Sequence, residues 1–289
     1  MKLPKIVIPY NKTLLRSMSG QIVAVRVKSI PQAAEAAAHV RDSGNALFCV
    51  IVEANSPLAE LALHDGIKDI PLAIMAPAMG KFRRVTAILP VLRGGNIRIY
   101  LPCDRPDNIT SLRLLSSLGI HCCALFAPGE TNWEELADLM TYAVLERAPH
   151  APIEPFEFIA SSYEPSSYLD WGRIFFDDPR HFLHLDARGR VALSRREASM
   201  GDFIAAGIAE IAAADEFPAI SERINSWRYR LAENHPCAFC AGWKICLGRF
   251  APEAGEDGGC AGFFQEMLDV ARQRGAQRAG GEELRVWQP

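Results

Sequence analysis

An α/β fold with a parallel sheet is predicted by three features of this chain. Short runs rich in β-branched residues alternate with helix-like segments; the runs are apolar throughout rather than every second residue; and glycine or proline punctuates most junctions. The first strand candidate is residues 6–10, followed by a turn-rich connection ending in Ser19-Gly20. Residues 22–27 (Ile-Val-Ala-Val-Arg-Val) form the next strand, and Pro31 opens an alanine-rich helix over 32–41, closed by Ser43-Gly44. The rhythm repeats as strand 47–52 and helix 57–64, strand 71–75 and helix 81–92, then strand 96–101 and helix 109–118. Strand 121–126 and helix 133–146, with Thr131 or Asn132 as cap, complete a fifth unit, and residues 156–159 make the sixth strand. Six such units fit either an open doubly wound sheet or a curved, incomplete barrel.

The pattern changes after about residue 165. Residues 182–186 and 190–193, joined through Ala-Arg-Gly189, predict a hairpin. Helices are expected over 202–215, 218–233 and 262–274, with a Gly/Glu/Arg-rich tail. The expected division is therefore 1–165 and 166–289.

Composition is that of an ordinary globular protein: 289 residues, 49% hydrophobic and 22% charged. A formal charge of −3 gives no basic field for nucleic acid or an anionic membrane. The runs Lys81-Phe-Arg-Arg84 and Arg195-Arg196 are read as solvated faces. The N-terminus lacks the long apolar region of a secretory signal and no apolar run is long enough to span a bilayer, so a cytoplasmic location is expected. Thiols stay reduced there, and the eight cysteines are read as ligands plus buried apolar residues, not disulfides.

Chemistry concentrates in His235-Pro-Cys-Ala-Phe-Cys-Ala-Gly-Trp-Lys-Ile-Cys246, with Cys260 beyond a glycine-rich loop. A CxxC turn aims two sulfurs at one point, and nearby glycines let backbone N–H groups approach a metal or bridging sulfides. Structural zinc sites usually pair two such knuckles. Here there is one CxxC, a third thiol after five residues and a fourth after thirteen more, a spacing that favours an iron–sulfur cluster and keeps zinc as the alternative.

The run Cx2Cx5C with a later Cys resembles the SPASM domain, the C-terminal auxiliary-cluster module of radical SAM peptide- and protein-modifying enzymes. By that resemblance Cys237, Cys240, Cys246 and Cys260 hold one [4Fe–4S] cluster. The family's first auxiliary cluster is not matched: Phe250 stands where a Cys is required, the hairpin near Arg190 has none, and Ala206 replaces the Cys that would follow Gly201. The βα units likewise resemble the partial (β/α)6 barrel of radical SAM enzymes. The CxxxCxxC loop that holds their S-adenosylmethionine-cleaving cluster is missing: only Lys28, Ser29 and Ile30 lie between Val27 and Pro31. Ala54-Asn55-Ser56-Pro57 replaces the Gly-Gly-Glu-Pro stretch. The resemblance thus implies a degenerate, non-catalytic member that does not use S-adenosylmethionine. It would bind a peptide or protein substrate, pair with a radical SAM maturase, or relay electrons.

Of the remaining candidates, Cys49, Cys122 and Cys123 are expected to be buried strand thiols, and Cys103 to end a strand at the edge where α/β barrels place ligands. His235 could tune a cluster, and Trp243 and Lys244 shield it. His181 and His184 should point to opposite faces of one strand. Lys28 and Glu53, at the ends of two strands, are candidates to line a pocket in the barrel mouth.

Overall fold

In the computed structural model, residues 4–126, 131–213, 217–233, 235–250 and 259–278 are described. The glycine-rich loop before Cys260 (251–258) and the tail beyond 278 lie outside them.

The chain runs β1 (Lys5–Pro9), α1 (Lys12–Ser17), β2 (Ile22–Val27), α2 (Ile30–Asp42), β3 (Ala46–Glu53), β4 (Leu72–Met75), α3 (Phe82–Gly94), β5 (Ile97–Pro102), α4 (Pro106–Ser117), β6 (His121–Leu125), α5 (Trp133–Leu145), β7 (Ile153–Glu154) and α6 (Phe156–Ser162). There follow β8 (Phe182–Leu185), β9 (Val191–Ala192), α7 (Arg195–Met200), α8 (Ile208–Ala213), α9 (Pro218–Asn225), α10 (Trp227–Ala232), α11 (Trp243–Cys246) and α12 (Cys260–Arg278). All nine strands join one sheet in the order β7-β6-β5-β4-β3-β2-β1-β8-β9, and only β9 is antiparallel to its neighbour. From β1 to β7 the order never reverses, unlike a doubly wound sheet, whose order turns back at a switch point.

Register and the two-residue alternation of a strand separate the two faces. One is aliphatic: Val23 and Val25, Val50 and Val52, Leu72 and Ile74, Ile97 and Ile99 all lie on it, fully or almost fully buried. Helix α2 packs against β2 and β3, and α4 against β5 and β6. Alanines at helical spacing (Ala33, Ala36 and Ala37, with Val40) let α2 lie close to the strands. The other face is the unexpected one. It carries Arg26, Glu53, Arg98, Tyr100, Glu154 and His184, brought to one side by the pairings Val7↔His184, Glu53↔Met75, Met75↔Tyr100, Tyr100↔Cys123 and Cys123↔Glu154.

Two expected elements are corrected. Residues 57–64 form no helix beyond a 3₁₀ turn at Leu58–Glu60. The amides of Leu58 and Ala59 donate to the carbonyls of Ala78 and Met79, at 2.9 Å each, tying the segment to the loop after β4, and the Leu61 amide turns to the Leu58 carbonyl at 3.1 Å in a 3₁₀ bond. Residues 156–159 are helical, and the sixth unit's strand is Ile153–Glu154. The Glu154 carboxylate accepts the Phe158 amide at 2.9 Å, satisfying an otherwise orphaned donor of the first turn of α6. A short continuous apolar run fits strand or helix alike, which is why the period misleads here.

The helix expected over 218–233 is two, α9 and α10, which meet at Ser226. Asn132 caps α5 through the Glu135 amide, and the hairpin at 182–193 forms. The helix expected over 202–215 is short within the described residues, at Ile208–Ala213. The sheet crosses the expected division at residue 165, because β8 lies parallel against β1.

Candidate functional site

Two places carry chemistry, and the first is the thiol segment. Cys237 lies within a 3₁₀ turn, Pro236–Phe239, and Cys240 ends it; His235 caps that turn, its Nδ1 accepting the Cys237 amide at 3.2 Å. Cys246 closes α11, and Cys260 opens α12. Helix α11 reaches α12 at Gly242, where a Cβ would collide with Cβ of Phe264. The segment is tied to the chain before it: Trp171 Nε1 donates to the Ile245 carbonyl at 2.8 Å, and Arg249 pairs with Asp170 at 2.6 Å. Trp243 stacks on Trp227 and Lys244 donates to the Pro165 carbonyl, so both serve packing.

Cys246 is the most organised of the four. Leu247 and Gly248 both take positive φ, which turns the chain back over the sulfur. Burial pushes the Cys246 thiol up to about 11. The Phe250 amide opposes that, the nearby Cys260 adds to it, and the Gly248 and Arg249 amides oppose it again. Backbone N–H groups gathered round a sulfur make a concavity suited to a thiolate and to a cluster's sulfides. Cys260 Sγ–H points to the Phe250 carbonyl at 3.6 Å. In kind and number these thiols suit four-thiolate ligation. In position, the structure brings Cys246 and Cys260 together, while among the described residues no three His, Cys, Asp or Glu side chains converge closely enough to hold a metal ion.

The other four thiols are buried. Cys49, Cys122 and Cys123 are wholly enclosed in strands, and burial raises all three. Cys103, placed by its sequence position at a ligand edge, is also enclosed; burial, then the charge of Asp104, lift it to about 12.

The second place is a cleft of about 450 Å³ on the polar face of the sheet, at the carboxyl ends of β2–β4. Glu53 lines it as expected, with Arg26 and His184 beside it. The Glu53 carboxylate faces Lys28 at 2.6 Å, Arg195 at 2.9 Å and Arg26 at 3.8 Å. Lys28 is thus a partner of the pocket's acid. Arg195 and Arg196 are exposed, as expected, and both also line the cleft; α7 follows the hairpin directly and brings them over the sheet. Lys81, Arg83 and Arg84 are exposed, as expected. A second cleft of about 420 Å³, between Phe126, Trp171 and Phe250, shares Phe175 and Asp177 with the first.

His184 is the residue that sequence reasoning passed over, having weighed it only as a chelator with His181, which stands outside the strand near Asp178. The ring is 3% exposed. Its Nε2 lies 2.7 Å from the Phe176 carbonyl, which can only accept, so the proton sits on Nε2 and Nδ1 keeps a bare lone pair. No group hydrogen-bonds Nδ1. A histidine inside the apolar run Phe-Leu-His-Leu, and an arginine inside Ile-Val-Ala-Val-Arg-Val, were the available signals.

Burial drives the imidazole from 6.5 down to about 4, against the pull of the Phe176 carbonyl. The unfolded chain therefore takes up this proton at a higher pH than the folded one. The residue's contribution to stability is whole above pH 6.5 and is lost as pH falls towards 4, by roughly 3 kcal/mol in all. His184→Gln should flatten that acid limb in urea unfolding across this window; a variant as acid-sensitive as the parent would refute the assignment.

Comparison with known protein families, with curated proteins and with solved structures returned no match. No helix among the described residues is long and apolar enough to cross a membrane.

Proposed function

We propose that this chain is a non-catalytic, radical SAM-like protein whose C-terminal SPASM-like segment holds one [4Fe–4S] cluster through Cys237, Cys240, Cys246 and Cys260. In this reading residues 1–165 are a partial barrel, and residues 166–289 carry the cluster. The protein serves peptide or protein modification as an accessory to a radical SAM maturase, as a peptide-binding subunit or as an electron relay. The observation that carries the reading is the buried Cys246 at the end of α11, followed by the positive-φ turn of Leu247 and Gly248, with Cys260 at the start of the helix α11 packs on and the Cys237–Cys240 turn just before it in the chain. A one-way strand order suits a barrel wall. The first cysteine of the chain is Cys49, inside β3, so neither of the first two strands is followed by a thiol trio.

A cluster held by four thiolates has no open iron position, and the chemistry it supplies is electron transfer or structural support. The chain's own part is to exclude water from Cys246 and anchor the segment through Trp171 and Arg249. Anaerobic reconstitution with ferrous iron and sulfide tests this. Iron and sulfide in equal amounts, with a broad visible absorbance bleached by dithionite, are expected. Colourless protein carrying one zinc would replace the cluster with a structural metal site.

The polar cleft favours a second reading, in which the strand ends form an active site of other chemistry and the thiol segment is structural.

A further inference from the structure

The cleft at the carboxyl ends of β2–β4 holds two groups that neither the packing of the sheet nor the thiol segment uses. One is Nδ1 of His184, an acceptor on an enclosed ring without a hydrogen-bond partner among the described residues. The other is cationic charge in excess. The single carboxylate of Glu53 faces Arg26, Lys28 and Arg195; Arg196 adds a further guanidinium, and Asp177 is the one other acid of the lining. Arg26 Nε is itself enclosed without a hydrogen-bond partner. Below these groups the floor is apolar, made by Val7, Ile51, Met75 and Phe175. The volume of about 450 Å³ suits a small ligand.

These features constrain what fits. A guanidinium pair matches the planar, two-oxygen form of a carboxylate. The bare lone pair of His184 repels an oxyanion placed over it, so the anion belongs on the arginine side and a donor on the histidine side. The apolar floor calls for a hydrocarbon group in the same molecule. We infer that this cleft binds an apolar carboxylate, its anion held by Arg195 and Arg196, with a hydroxyl or N–H on the adjoining carbon donating to His184 Nδ1. A free acid and the carboxyl-terminal residue of a peptide both have this chemistry.

Calorimetric titration of the full chain tests the inference, with N-acetylphenylalanine as the probe for the free acid and Ala-Ala-Phe for the peptide. At least one should bind, and whichever binds more tightly identifies the source. N-acetylphenylalaninamide, without the carboxylate, should bind about tenfold more weakly or worse. 3-Phenylpropionate, which has the carboxylate but no adjacent donor, should lose at least about fivefold because Nδ1 stays unpaired. Arg195→Gln, at a half-exposed side chain whose loss leaves Glu53 two other cations, should weaken the acid about tenfold while circular dichroism is unchanged. The inference is overturned if the folded chain binds neither acid, if acid and amide bind alike, or if inorganic phosphate binds more tightly than either acid.

Discussion

Replacing Cys246 by serine is expected to abolish retention of iron and sulfide after anaerobic reconstitution and desalting. Cys246 is nearly enclosed, ends the short helix α11 that packs on the helix opened by Cys260, and is followed by a tight turn in which the Arg249 amide donates to its carbonyl at 3.1 Å. A serine hydroxyl is a harder and far more weakly acidic ligand, and it cannot bond to iron as a thiolate does. Loss of a mere outer-shell partner already costs roughly 10–100-fold in metal affinity, so loss of this ligand should exceed that range. Cys237→Ser, Cys240→Ser and Cys260→Ser should weaken retention less, because all three residues are only partly buried and solvent can help to fill the vacated position. Cys103→Ala, away from the segment, should leave iron content at the parent level. If Cys246→Ser kept as much iron as the parent, Cys246 would not be a ligand and the cluster reading would fall.

The second large effect concerns stability. Arg98 and Glu154 face each other at 3.4 Å on the polar side of the sheet, each side chain only 4% exposed. Glu154 also accepts the Phe158 amide, so it serves an ion pair and the start of α6 together. Burial raises the Glu154 carboxyl despite the guanidinium beside it, the sign that desolvation outweighs the pairing. Such a pair adds little to stability as a whole, but breaking it strands a charge in the interior. Glu154→Leu should therefore lower unfolding free energy by about 3–5 kcal/mol, and Arg98→Met/Glu154→Leu should recover most of that loss. Guanidinium unfolding midpoints with unchanged slopes give the measurement. A single variant as stable as the parent, or a double variant no better than the single, would mean that the pair is not closed as described.

The thiol segment and the polar cleft differ in how far they can be read from residues alone. The thiol segment is local: Cys237, Cys240 and Cys246 lie within ten residues, and their spacing is visible without any knowledge of the fold. The cleft is assembled from distant parts. Arg26 and Glu53 belong to neighbouring strands, but His184 and Arg195 follow more than a hundred residues later and arrive only because β8 lies parallel against β1. No local pattern announces that pairing, since parallel neighbours need not be adjacent in the chain. Residues 57–64 likewise follow a course set by a distant partner, the backbone of Ala78 and Met79, which no local pattern announces.

The order of residues determined by itself that the chain alternates strand and helix, that its strands are buried on both faces, and that its thiols divide between strand interiors and one C-terminal run. Those are properties of segments, set by side-chain branching, apolar content and turn residues acting over a few positions. Only the tertiary structure decided that the strand order runs one way from β1 to β7, that one face of the sheet gathers charged groups, and that Nδ1 of the enclosed His184 is left unpartnered. These depend on which strands meet and in what register, and a shift of one residue in a strand would turn Arg26 or His184 to the opposite face.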